Sequence, residues 1–384
     1  MQFQFQIPRC VCASGASKTV GQLAAAAGLK KVLCIYDKGV KAAGIVDPVI
    51  AAMKEAGLAV AEFDGVVPDP SVEVVEMAGN MAKDKEAEGI VAIGGGSAID
   101  TAKVAAALAT NRQPVQQLYT RGSIVHAPLP LYAVPTTSGT GSEVTPAAVV
   151  SDPSLGRKIT MVDPRLIPVC AVLDPELVLG LPRGITAATG MDTLAHAVES
   201  MTCIVHNPMT DGIALSAIRL IVNNLPACVE NGADETARGN MMVASTMAGM
   251  AFGNTAAHVG HAFAHAMGAV WHIPHGTACA LALPFAIQNC AGVAHDRVLA
   301  IAETVGIADA ASLAAEELGD QLAAWFAEFA VRVGIPTLEE LVGKPEELDT
   351  IVAATLNEKP LIQLSGVPVT EEACRAYYKK LFAM

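Results

Sequence analysis

Six of the nine histidines of this 384-residue chain fall between Gly239 and His295, a run of fifty-seven residues with no Asp, Glu, Lys or Arg. Charged residues make up 16% of the whole, so the gap is not a by-product of composition. A long uncharged stretch reads as protein interior, and an imidazole placed there needs a partner that offsets its desolvation. A metal ion is such a partner, because neutral imidazole is its commonest ligand. Ala256 to Gly268 reads as a helix, on which His258, His261 and His265 share one face by the i, i+3, i+7 rule. Trp271-His272-Ile273-Pro274-His275-Gly276 follows as a turn. Upstream, in Gly190-Met191-Asp192-Thr193-Leu194-Ala195-His196, a carboxylate and an imidazole stand four apart in a helical stretch, one turn apart on one face. Taken alone, such a pair is more often a surface hydrogen bond. A lone interior histidine is more often a satisfied core residue, and that is the expectation for His126, His206 and His295. Five histidines in eighteen residues, with Asp192 and His196 upstream, exceed what that reading covers.

A second chemistry is written in two loops. Gly94-Gly95-Gly96-Ser97 lies between a buried strand and a helix, where glycines admit a phosphate close to the backbone and the helix N-terminus offers free N–H groups. By itself this is as compatible with a tight turn. The second loop, Pro135 to Thr145 (PTTSGTGSEVT), also follows a strand and carries Thr136, Thr137, Thr140 and Thr145. Two such loops at strand ends suit the two phosphates and two riboses of a dinucleotide. The G-x-G-x-x-G fingerprint is absent after the first strand, so the unit is a non-standard, Rossmann-like one. Asp37, at the end of an early strand, is placed to accept hydrogen bonds from the adenosine ribose and to repel a 2′-phosphate, which favours NAD over NADP. Its plainer reading is a strand-end Asp in a turn. Lys158 can counter phosphate charge or stand as a solvated surface lysine.

The elements that must position these residues divide into two textures. Up to about residue 180, short β-branched runs end in Gly, Asp or Pro and give way to helical stretches. Strands are expected at Lys31 to Tyr36, Ile90 to Ile93 and Leu129 to Val134, with a helix over Ala98 to Ala109. Asp69-Pro70 reads as N-cap and first residue for a helix over Ser71 to Lys85. Met1 to Ser14 alternates Gln with Phe or Ile and reads as a β-strand, not a signal peptide. This alternation implies an α/β domain with a mainly parallel sheet over residues 1–182. Beyond Leu181-Pro182-Arg183-Gly184 the patterns are helical, giving an all-α domain over residues 183–384. Gly343 to Asp349 reads as a polar loop inside it.

Bulk properties exclude other classes. A net charge of −13 argues against nucleic acid, whose phosphates call for a basic patch. The hydrophobic fraction is 52%, yet the apolar regions are interrupted every few residues by Gly, Pro, Asn or His, short of the roughly 20 consecutive apolar residues that span a bilayer. Much of that fraction is Ala, which suggests tightly packed helices and a subunit interface, with a homodimer as the default or a higher homo-oligomer. Nine cysteines, an odd number with no C-x-x-C pair, read as reduced thiols of a cytoplasmic protein.

The combination G-M-D-x-x-x-H (190 to 196), G-H-x-x-x-H (260 to 265) and P-H-G (274 to 276), behind G-G-G-S and P-T-T-S-G-T-G-S-E-V-T, resembles the iron-dependent alcohol dehydrogenase family over essentially the whole chain. The resemblance implies a dehydroquinate synthase-like architecture, with Asp192, His196, His261 and His275 as metal ligands. It implies His265 as a catalytic neighbour that serves substrate or a proton relay without binding the metal, and it leaves His258 and His272 off the ligand positions. Gly95, Gly96, Ser97, Thr136, Thr137, Thr140 and Thr145, with Asp37 and Lys158, form the implied NAD site. The chain departs from the family in Asp69, where many members carry Asn, and in Pro146. Three imidazoles and one carboxylate suit a divalent first-row metal, and the resemblance implies Fe2+, with Zn2+ as the competitor that binds more tightly by intrinsic affinity. The implied reaction is reversible NAD-linked hydride transfer between a small primary alcohol or diol and its aldehyde. A segment bearing two ligands without Arg or Lys favours a neutral substrate. It also gives the expectation that metal, one carboxylate and a transient alkoxide are the only strong charges in this interior. The competing readings are an NAD-using metal-dependent lyase of the dehydroquinate synthase kind, separated by whether NADH accumulates, and a non-catalytic metal-binding protein that kept the fold.

Overall fold

The structure is a computed structural model that describes residues 3–342 and 347–383. The chain divides into two compact units, one over residues 5–180 and one from Leu181 onward, which also takes in Phe3 and Gln4.

In the first unit the strands are β1 (Arg9–Cys12), β2 (Lys31–Asp37), β3 (Ala59–Val66), β4 (Gly89–Gly94), β5 (Leu131–Pro135), β6 (Ala147–Asp152), β7 (Arg157–Val162) and β8 (Cys170–Leu173). Six of them form one sheet in the order β1-β8-β5-β4-β2-β3, every pair parallel, while β6 and β7 make a separate antiparallel pair. The helices are α1 (Val20–Ala26), α2 (Lys38–Ala42), α3 (Val46–Glu55), α4 (Val72–Asp84) and α5 (Gly96–Thr110). A sheet covered on both faces demands strands that are apolar on both sides, and β2 (KVLCIYD) and β4 (GIVAIG) are. Alternation sends Val32, Cys34 and Tyr36 to the side of α1 and α3, and Leu33 and Ile35 to the side of α4 and α5.

The structure departs from the expected elements at three places. The N-terminal strand is only Arg9–Cys12: Phe3 to Pro8 join no strand, and Met1 and Gln2 lie outside the described residues. The N-cap of α4 is Ser71, not Asp69, which adopts a left-handed φ of 52° before Pro70. Leu129 and Pro130 precede β5, which continues to Pro135.

The second unit is helical among its described residues. Its first helices are α6 (Arg183–Thr202), α7 (Pro208–Glu230), α8 (Glu235–Phe252), α9 (Val259–Trp271) and α10 (His275–Cys290), and six more lie between His295 and Phe382. One apolar cluster runs through it, from Ala187 on α6 to Leu381. Helix α7 alone among the described residues is long and apolar enough by length and composition to cross a membrane. Here it packs on α6 and α8 with Ala214, Ile218, Ile221 and Leu225 inside, and it carries Asp211 and Arg219. Residues 343–346 of the expected polar loop lie outside the described residues, and Leu348 and Asp349 already open a helix.

Helix α9 differs from the expected span. It begins at Val259, so His258 is its N-cap and not a member of its histidine face, and it runs on to Trp271. His272 ends it with a left-handed φ of 56°, and the three-residue turn to Pro274 starts α10 at His275.

Candidate metal centre and nucleotide loops

Helix α6 is buried without a break from Gly190 to Thr202, so every polar side chain in that span has been taken out of water. Asp192, His196 and Glu199 stand on one face at i, i+4 and i+7. Helix α9 contributes His261 and α10 contributes His275 as its first residue. Three imidazole Nε2 atoms converge on one oxygen: Asp192 Oδ1 lies 3.7 Å from His196, 3.7 Å from His261 and 3.6 Å from His275. These distances are too long for hydrogen bonds, and Asp192 Oδ1 is a buried oxygen with no hydrogen-bond partner. They suit atoms that share a cation, since two donors each about 2.0–2.1 Å from an ion at a tetrahedral angle lie about 3.4 Å apart. The residues present fit a divalent metal.

The neighbours of these side chains hold them in that pose. His261 Nδ1 is 2.9 Å from Glu199 Oε1, so the ring donates Nδ1–H to the carboxylate and turns its Nε2 toward Asp192. The second Glu199 oxygen accepts the backbone N–H of His258. His196 stacks between Phe252, at a centroid distance of 4.1 Å, and His261, at 4.7 Å. Burial opposes ionisation of Asp192, but His196, His275 and His261 outweigh it and hold the carboxyl well below the usual range. Glu199 is likewise opposed by burial, yet His261 and His258 bring it down to about 2. Burial works against a charged His261 too, and Cys279, Glu199 and Asp192 together push its pKa well up.

Two glycines of the motifs are explained by contact. A Cβ on Gly260 would stand 2.4 Å from Glu199 Oε1, and one on Gly276 would stand 2.2 Å from the backbone oxygen of Ala188 on α6. Each histidine of the G-H and H-G pairs reaches the centre because the glycine beside it lets the helices close.

The remaining histidines sort by environment. His265 keeps 39% of its side chain exposed and sets Nδ1 3.5 Å from Glu358 Oε2, with its ring 5.8 Å from that of His275. His258 is buried, accepts the Val259 N–H on Nδ1 and pairs Nε2 with Thr202 Oγ1 at 2.7 Å. His272 is exposed. The expectation of satisfied core residues fails for the three lone histidines: His126 is exposed, His206 is half-buried against Asp211 at 2.8 Å, and His295 opens a helix half-buried. The expectation of a single interior carboxylate fails as well, because Glu199 is fully buried beside Asp192. Sequence reasoning also passed over Cys279 and Glu358. Glu199 and Cys279 had local signals, one seven residues beyond Asp192 and the other four beyond His275 in an apolar helix; Glu358 had none.

In the first unit the chain leaves β2 for β3 on one side and returns as β4 on the other, so the sheet reverses its direction of growth between β2 and β4. A ligand crevice is expected beyond the carboxyl ends of the strands at such a point. Asp37 ends β2 and Gly94 ends β4, and a Cβ on Gly94 would lie 3.7 Å from Asp37 Oδ2. Asp37 Oδ1 accepts the Val40 N–H at 2.9 Å. Gly95 is the N-cap of α5, whose first turn has no capping side chain and no acid, so its N–H groups suit an anion. Thr137 and Thr140 press on that turn: Cβ atoms on Gly95 and Gly96 would meet them at 3.2 and 2.8 Å. Ser97, Thr137 and Thr140 are half-buried, and Thr136 is buried with its N–H donated to Gly94.

Thr145 and Lys158 have protein partners of their own. Thr145 Oγ1 accepts from the buried Lys103 Nζ at 3.2 Å, and Lys158 Nζ binds Asp69 at 2.6 Å on the surface. Lys103 also donates to Ser142 Oγ at 2.9 Å and to the Ala147 carbonyl at 2.6 Å. Asp100 accepts from Ser142 Oγ and from the Val149 N–H. The hydroxyl loop is thus pinned from below by two charged residues of α5 that sequence reasoning did not single out. Burial pushes the Lys103 ammonium down to about 8 against the pull of Asp100 and Glu143.

Comparison with known proteins gives a family for both units. A model described as iron-containing alcohol dehydrogenase matches residues 8–175, and one described as Fe-containing alcohol dehydrogenase family, C-terminal, matches residues 186–382. A choline dehydrogenase of Bacillus subtilis is 34% identical over 98% of this chain and 94% of its own. An NAD-dependent methanol dehydrogenase of Bacillus methanolicus is 36% identical over 78% of each. Among solved structures, a 1,3-propanediol oxidoreductase superposes with a TM-score of 0.93 at 32% identity, covering 100% of both chains.

Proposed function

Because the chain belongs to the iron-containing alcohol dehydrogenase family, we propose that it catalyses reversible NAD-linked hydride transfer between a small neutral primary alcohol or diol and its aldehyde, at a divalent metal held by Asp192, His196, His261 and His275. The observation that carries this reading is Asp192 Oδ1, a buried anionic oxygen with no hydrogen-bond partner at which three Nε2 atoms converge.

The metal supplies Lewis acidity that makes an alcohol hydroxyl easier to deprotonate, and the nicotinamide supplies the hydride acceptor. The protein's own residues do the rest. Glu199 fixes the tautomer of His261. His265, half-exposed next to His275 and backed by Glu358, is placed to pass the alcohol proton outward. Asp37 at the switch point favours adenosine with a free 2′-hydroxyl, hence NAD, and α5 offers its N-terminal N–H groups to the pyrophosphate with Gly95, Gly96, Ser97, Thr136, Thr137 and Thr140 around it.

Fe2+ is the metal by family, with Zn2+ able to occupy the same donors. Nine free cysteines support a reducing cytoplasm. The edge strand β1, paired only with β8 in this sheet, supports a homodimer or larger homo-oligomer.

The test is anaerobic purification with metal analysis, followed by NADH formation across short alcohols and diols. Metal near one equivalent per chain and turnover of neutral primary alcohols are expected. Metal and NADH binding without turnover of any alcohol or aldehyde overturns the reading.

A further inference from the structure

Cys279 lies four residues after His275 on α10, one turn along the same face, and is buried with 1% exposure. Its Sγ stands 3.6 Å from His275 Nε2 and 3.8 Å from His261 Nε2. One ligand atom each from Asp192, His261, His275 and Cys279 can be chosen so that all lie within 4.8 Å of one another, and His196 is not part of that quartet. A thiol hydrogen bond accounts poorly for this arrangement. His261 gives its Nδ1–H to Glu199, which leaves Nε2 as the ring atom free for a metal, and a single S–H cannot serve both Nε2 atoms at once. Asp192, a member of the same quartet, has a buried Oδ1 without a hydrogen-bond partner. The lengths fit a shared cation instead: a sulfur about 2.3 Å and a nitrogen about 2.1 Å from one ion, at a tetrahedral angle, lie about 3.6 Å apart.

We propose that the Cys279 sulfur is itself a ligand of the metal in this protein, alongside Asp192, His261 and His275. This deepens the metal reading above and rests on it. On binding, the metal–sulfur bond forms, the S–H bond breaks and its proton leaves to solvent, with no change of oxidation state. A thiolate in an otherwise nitrogen and oxygen set softens the site and tilts it toward Zn2+ and away from Fe2+.

The experiment replaces the native metal with Co2+ in the full chain and reads the absorption spectrum. Wild type is expected to show visible ligand-field bands together with a near-ultraviolet sulfur-to-cobalt charge-transfer band. Cys279→Ser and Cys279→Ala are expected to keep ligand-field bands and lose the charge-transfer band. Their cobalt affinity, read by competition with a chelator, is expected to fall at least about tenfold, since even groups behind the ligands cost that much. Ligand-field bands without the charge-transfer band in wild type, or a charge-transfer band that survives in both variants, overturns the cysteine while leaving the metal centre standing. Absence of all cobalt bands overturns the metal centre and the cysteine with it.

Discussion

Each unit buries charge, and they satisfy it from different sources. In the α/β unit Lys103 is 1% exposed, and its ammonium is held by two hydroxyls and a carbonyl of its own chain, with Asp100 3.9 Å away. In the helical unit Asp192 is 3% exposed, and one of its oxygens has no hydrogen-bond partner although three imidazoles surround it. A buried charge that the chain satisfies is scaffold; one that it leaves to be satisfied marks where something from outside belongs.

The comparison can be broken at either end. The largest effect is expected at Asp192: Asp192→Asn removes the anionic donor, so metal content falls to background and turnover is lost. Chelator, which lowers the melting temperature of the wild type by removing a ligand specific to the folded state, leaves this variant unmoved. Metal analysis and melting curves with and without chelator measure both. Next comes Glu199, which touches the centre only through His261 and the His258 N–H. Glu199→Gln is expected to weaken metal affinity about 10- to 100-fold while the fold stands, measured by chelator competition. Gly276→Ala tests packing without touching a donor: its Cβ would fall 2.2 Å from the Ala188 oxygen, a backbone atom with little room to yield. A loss of about 1–3 kcal/mol in stability is expected from denaturant unfolding, with weaker metal binding as His275 is displaced.

The smallest effect tests the satisfied charge. Burial pushes Lys103 down to about 8 in the folded chain from the ordinary lysine value of 10.5. Between those limits the unfolded chain holds a proton that the folded one has released, so this group makes stability rise with pH across that window. Its slope is at most about 1.4 kcal/mol per pH unit. Lys103→Met should remove that slope, seen by unfolding wild type and variant in parallel from pH 7.5 to 10.5. An identical pH dependence in the two would mean that the ammonium is not strained by its burial.

The sequence made some of this legible and hid the rest for physical reasons. Parallel strands buried on both faces show as apolar runs closed by Gly or Asp, so β2 and β4 could be read almost to the residue. The turn after β4 could be read because its glycines admit the close approach of Thr137 and Thr140. Helix starts were harder: the Asp69-Pro70 pair imitates a cap that Ser71 fills, and Ala256 to His258 continue the apolar composition of α9 without its geometry. In the site, spacing on one helix found Asp192 with His196, and the family motifs supplied His261 and His275. Glu199 and Cys279 lie on those same helix faces, but a buried carboxylate and a buried thiol each have a commoner structural explanation. Glu358 reaches His265 from a distant part of the chain, and no periodicity in one segment encodes such a meeting.

The quartet around Asp192 is uneven in one respect. His261, Cys279 and Asp192 are closed off from water, while His275 leaves 44% of its side chain open. Of these four donors, the His275 ring at the start of α10 is therefore the one that meets solvent.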